Sequence, residues 1–162
     1  MINTKKAPRR PLSFHCTGCL KEELGRIESA HRAGTLGKTG NWTPGENLDH
    51  VARLWEYAFD GFPPEARVNI LIKMFARLMK GSMTSGKTLP AGFKYGSAAS
   101  YMAPRPGCSV EAGLARLRAV LDRLDRGEQM RATSPAFGAL THDEWMRLHL
   151  GHAQLHLGFV SY

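Results

Sequence analysis

The chain has 162 residues, 43% hydrophobic and 22% charged, which suits one domain burying about 70% of its unfolded surface. No apolar run approaches the ~20 residues of a membrane-spanning helix, so a soluble protein with no membrane partner is expected. A formal charge of +8 raises the question of nucleic acid, but past the N-terminal residues the cations alternate with acids, as in Arg116, Arg118, Asp122, Arg123, Asp125 and Arg126. No stretch interleaves them with stacking aromatics, so solvated faces and no nucleic-acid partner are expected.

Residues 1–14 read as a basic arm carrying Lys5, Lys6, Arg9 and Arg10, and residues 15–162 as a single helical domain. The Arg pair resembles an export signal, yet no apolar segment of ~7–15 residues follows, and a solvated arm is expected. Cys16, Cys19 and Cys108 are too few, and odd in number, for a disulfide scaffold, which points to a reducing cytoplasm. Cys16-Thr-Gly-Cys19 has the spacing of a redox pair or half a zinc site, but no second C-x-x-C completes it. Loop or helix-start residues are the simpler reading.

Leu20 to Ala33 reads as an amphipathic helix, ended by Gly34 and a Gly-rich loop through Gly40. Thr43-Pro44-Gly45-Glu46 offers an N-cap, a proline at the first helical position and a glutamate to close a capping box, opening a helix that runs to about Asp60. Glu65 to Lys80 gives a third helical segment with Val68, Ile72, Phe75 and Met79 on one stripe. From Ser82 to Cys108, Gly, Pro, Ser and Thr interrupt any period, so a long irregular crossover is expected, of the kind that often walls a site. Ser109 caps a helix through about Arg126, striped by Leu114, Leu117, Leu121 and Leu124. Thr141-His142-Asp143-Glu144 is a second capping box opening the last helix. No internal repeat and no convincing strand stands out.

Gly81-Ser-Met-Thr-Ser-Gly86-Lys87-Thr88 matches the phosphate-loop pattern letter for letter. The chemistry of that loop needs a buried strand leading in and a helix leading out. Here a helix leads in and Pro90 and Gly92 follow, so no nucleotide-binding residues are assigned.

The last helix carries the chemistry. At ~100° per residue, His149, His152, His156 and Trp145 fall within roughly 60° of one another, beside Leu148, Leu155, Phe159 and Val160, with Asp143, Arg147 and Gln154 opposite. A buried imidazole nitrogen without a partner costs on the order of 1–3 kcal/mol, so these rings need hydrogen bonds, water or a metal. His152 and His156 are an i, i+4 pair able to hold one ion, and a catalytic site of the zinc kind wants a third ligand plus an open position. His50, at the edge of the stripe Val51, Leu54, Trp55 and Ala58 in the second helix, is the best candidate. His149, one turn earlier, and Trp145 are candidates for orienting a ligand or facing substrate. His15, His31 and His142 read as surface residues, and Trp42, Trp55 and Trp145 first of all as core anchors. Asp49 and Glu46 lie on the second helix, where they can simply face solvent.

Trp42-Thr-Pro-Gly-Glu-Asn-Leu-Asp-His50-Val-Ala-Arg-Leu, followed by Arg147-Leu-His-Leu-Gly-His152-Ala-Gln-Leu-His156-Leu, resembles the DinB/YfiT-like metalloenzymes. Asp60-Gly61-Phe62-Pro63, Leu89-Pro90-Ala91-Gly92-Phe93, Gly113-Leu-Ala-Arg-Leu117 and Ser134-Pro-Ala-Phe-Gly138 are similar to a branch known as a domain of unknown function, of the DUF1569 type. The resemblance covers nearly the whole chain. It implies an all-α fold, a four-helix bundle with a long crossover, containing an extra helix, between main helices 2 and 3, often as a homodimer. It also implies a divalent metal ligated by His50, His152 and His156. Some relatives transfer thiols or isomerise thiol adducts with low-molecular-weight thiols as cosubstrates. The run His-His-Arg-Gly-Gln often seen around their last ligand is here Leu155-His156-Leu157-Gly158-Phe159, a departure that bears on the transfer reaction.

The expected function is a metal-dependent enzyme, zinc or nickel its ion, acting by hydrolysis or thiol transfer on a small molecule. The alternatives are a non-catalytic bundle whose histidines hold a structural ion or form a polar network, and a basic protein that binds an acidic partner through its arm.

Overall fold

A computed structural model describes residues 2–92 and 97–162, the side chains of 97–99 excepted; Phe93 and Gly96 of the crossover lie outside them. In chain order the elements are α1 (Thr17–Arg32), β1 (Gly37–Lys38), α2 (Pro44–Asp60), α3 (Ile70–Met83), a 3-10 segment (Ser97–Met102), α4 (Val110–Asp125), α5 (His142–Leu157) and β2 (Val160–Ser161). The described chain is predominantly helical, and no described helix is long and apolar enough to cross a membrane.

The starts of α2, α3, α4 and α5 fall where a side-chain oxygen accepts from otherwise orphaned N–H groups. Thr43 and Glu46 form a reciprocal box on α2, with Glu46 N–H donating to Thr43 Oγ1 at 3.2 Å and Thr43 N–H to Glu46 Oε2 at 2.8 Å. Thr141 and Glu144 repeat it on α5 at 3.1 and 2.9 Å, and Ser109 caps α4. The third helix begins at Ile70 rather than Glu65, because Asn69 accepts from Leu71 N–H and sets the start there.

α2 is the central helix, packing along α4 and α5, while α1 closes against α4 and, to a lesser degree, α5. Trp55, Leu20, Leu24, Ile27, Leu48, Leu117 and Leu121 are fully buried where these helices meet. The approach of α2 to the start of α4 depends on Gly45, since a Cβ there would lie 2.1 Å from the Cys108 carbonyl oxygen.

Several expectations are corrected. A short antiparallel ladder pairs Gly37 with Ser161 and Lys38 with Val160; two-residue strands carry no periodicity, and their partners are far apart in sequence. The N-terminal segment is not wholly solvated. Arg10 ion-pairs with Glu23, which is 1% exposed, and donates from Nε to the Val160 carbonyl at 2.5 Å, while Phe14 joins the core. A buried carboxylate on α1 needs a cation, and the arm delivers it. Gln154, on the side of α5 opposite the histidines, is buried there: it accepts from Thr88 Oγ1 at 2.9 Å and donates to the Gly86 carbonyl at 3.0 Å. Arg147 donates to the Thr84 carbonyl at 2.8 Å. The loop that matches the phosphate pattern therefore packs onto the far side of α5, which is buried on both faces from Leu148 to Leu155. Gly151 permits this, because a Cβ there would stand 2.3 Å from the Lys87 carbonyl oxygen.

Candidate metal centre

α2 and α5 cross so that His50, His152 and His156 each place a ring nitrogen within 4.8 Å of the others. The first two are buried and His156 is half-buried. His50 Nε2 and His152 Nε2 are 3.0 Å apart. On the other side of its ring, His50 Nδ1 lies 2.5 Å from the Met102 carbonyl oxygen. A carbonyl only accepts, so Nδ1 carries the proton and Nε2 presents its lone pair to the other two rings.

Burial pushes the His50 imidazolium pKa down to about 4, reinforced by Arg53 and opposed by the Met102 carbonyl and Asp49. His152 and His156 are held well below the usual histidine range, first by burial and then by their histidine neighbours. All three rings are therefore neutral at pH 7, the state in which imidazole binds a metal. His152 Nδ1 and His156 Nδ1 are buried without a protein hydrogen-bond partner.

These residues fit a divalent ion. Two nitrogens each ~2.0–2.1 Å from one tetrahedral ion are about 3.3 Å apart, close to the 3.0 Å between His50 and His152. The donor set is three neutral imidazoles, matching a three-ligand site with one position left over. The His50–Met102 contact is the kind of outer hydrogen bond that fixes the tautomer of a ligating histidine.

Trp42 was expected first as a core anchor, but it is half-buried and covers the site. Its ring stacks on His156, with centroids 5.3 Å apart and planes at 18°, and tilts against His50 at 4.7 Å. Trp55 and Trp145 are core residues and hold His149 between them, at 4.9 and 5.1 Å with planes at 22° and 10°. Burial alone lowers the His149 pKa to about 3, and its Nε2 has no protein partner. His149 is thus outside the group of three, and Trp145 walls His149. Trp145 Nε1 donates to the Ala132 carbonyl at 3.2 Å.

Behind His50 lies a residue whose role sequence alone missed. Asp49 does not face solvent; its side chain is 0% exposed and meets three arginines. Its Oδ1 accepts from Arg116 Nη1 at 2.5 Å and Arg105 Nε at 3.0 Å, and its Oδ2 from the Arg105 backbone N–H at 2.9 Å and Arg53 Nη2 at 3.2 Å. Burial works to raise its pKa, but the Arg105 N–H and the guanidinium groups of Arg116 and Arg105 outweigh it and hold the carboxyl below its usual range. Arg105 follows the 3-10 segment by three residues, so Asp49 pins the end of the crossover that delivers the Met102 carbonyl. Glu46 is likewise engaged, accepting from the Gly107 N–H at 3.1 Å. An Asp one residue before a candidate ligand was the available signal, since i and i+1 on a helix point to different neighbours.

Of the other histidines, His15 is exposed and His31 pairs with Glu111 near the surface. His142, expected at the surface, is half-buried and accepts from the Met130 N–H at 3.1 Å. Two surface recesses, of about 400 Å³ between α1 and α4 and about 380 Å³ beside the arm, include none of the three histidines. The chemistry of the donor set, and not cavity size, marks the site.

No curated protein and no solved structure matches the chain. Residues 7–162 match the family described as "Protein of unknown function (DUF1569)". With nearly the whole chain matched, the protein belongs to the DUF1569 family.

Proposed function

We propose that this chain is a metal-dependent enzyme of the DinB/YfiT-like kind, a four-helix bundle of α1, α2, α4 and α5 with α3 in the crossover, and that His50, His152 and His156 hold a divalent ion, zinc or nickel. The observation that carries the reading is the convergence of three neutral ring nitrogens from two helices within 4.8 Å, with His50 oriented from behind by a carbonyl. Such an ion supplies Lewis acidity, which activates a water for hydrolysis or a low-molecular-weight thiol for transfer near neutral pH. His50 is held in one tautomer, Trp42 covers the rings and limits water on its side, and His149 and Trp145 line the adjoining core toward His152. A small molecule is the fitting substrate and nucleic acid is not, because many of the basic side chains are matched with acids. Arg118 pairs with Glu28, Arg123 with Asp60 and Glu128, and Arg116 with Asp49 and Glu56.

The 3.0 Å Nε2···Nε2 contact also supports a second reading, a histidine hydrogen-bond network with a structural role. Element analysis of protein purified without a histidine tag, alongside His152→Ala, separates them. Near-stoichiometric metal that is lost in a folded variant supports the enzyme. Absence of metal in protein exposed to zinc and nickel, with unfolding of the variant, supports the network and sinks the metal reading.

The same reading includes a homodimer formed through α3. Ile70, Leu71, Ile72, Met74, Phe75, Leu78 and Met79 are exposed, while Ala76 and Met83 face inward. A run of adjacent exposed apolar side chains of this kind marks an interaction surface. Lys80 is tied to Glu144 at 3.0 Å and to the Ala139 carbonyl at 3.2 Å, which weakens the basic edge that an anionic lipid surface would need and favours a second copy of this chain.

A further inference from the structure

The first turn of α1 differs from that of the other described α-helices. Thr43, Asn69, Ser109 and Thr141 each cap a helix through a side-chain oxygen. At α1 the N-cap is Cys16, extended at φ −154° and ψ 170°, with no side-chain cap hydrogen bond, and the first turn has no acid. The third residue of the helix, where α2 and α5 carry a glutamate, is Cys19. Both cysteines are free, Cys16 exposed and Cys19 half-buried, and their Sγ atoms are 3.4 Å apart.

We propose that Cys16 and Cys19 are a redox-active dithiol that exchanges with low-molecular-weight disulfides. Cys16 stands in extended backbone just before the helix and Cys19 in its first turn, so with the sulfurs already 3.4 Å apart, reaching the ~2.05 Å of a bond takes side-chain rotation and a small shift of the N-cap. The zinc half-site reading lacks its other ligands, because the only group of three or more candidate ligands among the described residues is the histidine trio.

Cys19 is the attacking thiol. Hydrogen bonds from the His15 N–H, the Cys16 thiol and the Cys16 N–H, in that order, hold its pKa below the usual thiol range against weaker effects of burial and Glu22, and the N-terminal end of α1 favours the anion. The Cys19 thiolate attacks one sulfur of the disulfide, whose S–S bond breaks to release one thiolate that takes up a proton. The Cys16 thiol then gives its proton to water and attacks the Cys19 sulfur, expelling the second thiolate. The protein dithiol loses two electrons and becomes a disulfide, while the small disulfide becomes two thiols. A reducing thiol pool reverses both steps. Cys108 serves as an internal reference, since burial, with Asp49, raises its thiol pKa.

The test uses the full chain equilibrated across ratios of reduced to oxidised glutathione, with free thiols then mass-tagged and mapped. Expected are joint loss of the Cys16 and Cys19 tags in one transition, an intact mass lower by two hydrogens, and Cys108 still tagged. Cys16→Ser should trap glutathione on Cys19, and Cys19 should alkylate at least ~10-fold faster than Cys108 at pH 7. The proposal is overturned if both thiols persist throughout, if each takes up glutathione without an intramolecular bond, or if Cys19 alkylates no faster than Cys108. None of these readouts depends on metal at the histidines.

Discussion

His50 donates from Nδ1 to the carbonyl of Met102, 2.5 Å away, so the crossover determines which nitrogen of an α2 side chain faces α5. The ring would otherwise be free to exchange tautomers, and its lone pair would not be committed to His152 and His156. A long-range ¹⁵N spectrum of the imidazoles at pH 7 should show His50 protonated at Nδ1, both before and after zinc is added. An Nε2-protonated ring in either state would remove the orienting role assigned to Met102.

Asp49→Asn should destabilise the fold by about 3 kcal/mol, since breaking one side of a buried charge cluster takes from Arg53 its ion-pair partner and leaves Arg116 paired with Glu56 alone. At ~2–4 °C per kcal/mol for a chain of this size, melting should fall by roughly 6–12 °C. The sign with pH follows from the depressed carboxyl. Its stabilisation is fully present above the unfolded pKa of about 3.9 and is lost as pH falls through the lower folded value. The wild-type advantage measured by urea unfolding should therefore be constant from pH 7 to 5 and shrink below pH 4. An advantage that grows on acidification would contradict the assignment.

His149→Phe should keep the fold and any metal. The ring is held between Trp55 and Trp145 and its buried Nε2 lacks a protein partner. A phenyl of similar shape removes a penalty on the order of 1–3 kcal/mol, so thermal melting should be unchanged or higher. Loss of metal with the fold intact would instead make His149 a participant at the ion.

Gly151→Ala should lower stability by about 1–3 kcal/mol through overpacking, because its methyl would meet the Lys87 carbonyl and push the loop off α5. Hydrogen exchange should then rise at Leu89, whose N–H donates to the Gly151 carbonyl at 3.2 Å. Unchanged exchange at Leu89 would show that the loop is held by other contacts.

Leu78→Glu should convert a dimer to monomer in sedimentation at micromolar concentration without lowering the helical signal, as Leu78 is 84% exposed on α3. A wild-type chain that is monomeric, or that binds anionic vesicles through α3 instead, would reject the second-copy interface.

What the amino-acid sequence determined by itself is local. Both capping boxes, the Ser109 cap, the bounds of α2 and the shared face of His149, His152 and His156 follow from spacing within a few residues, where helix geometry alone relates the side chains. The two-residue ladder between Lys38 and Val160, the burial of Gln154 under the Gly86 loop and the gathering of three arginines on Asp49 left no periodic trace, since each joins segments distant in the chain. Candidate ligand His50 lies between these cases. Its position on α2 was readable, but its distance to α5 and its tautomer were decided by packing, because only the folded crossover brings the Met102 carbonyl behind the ring.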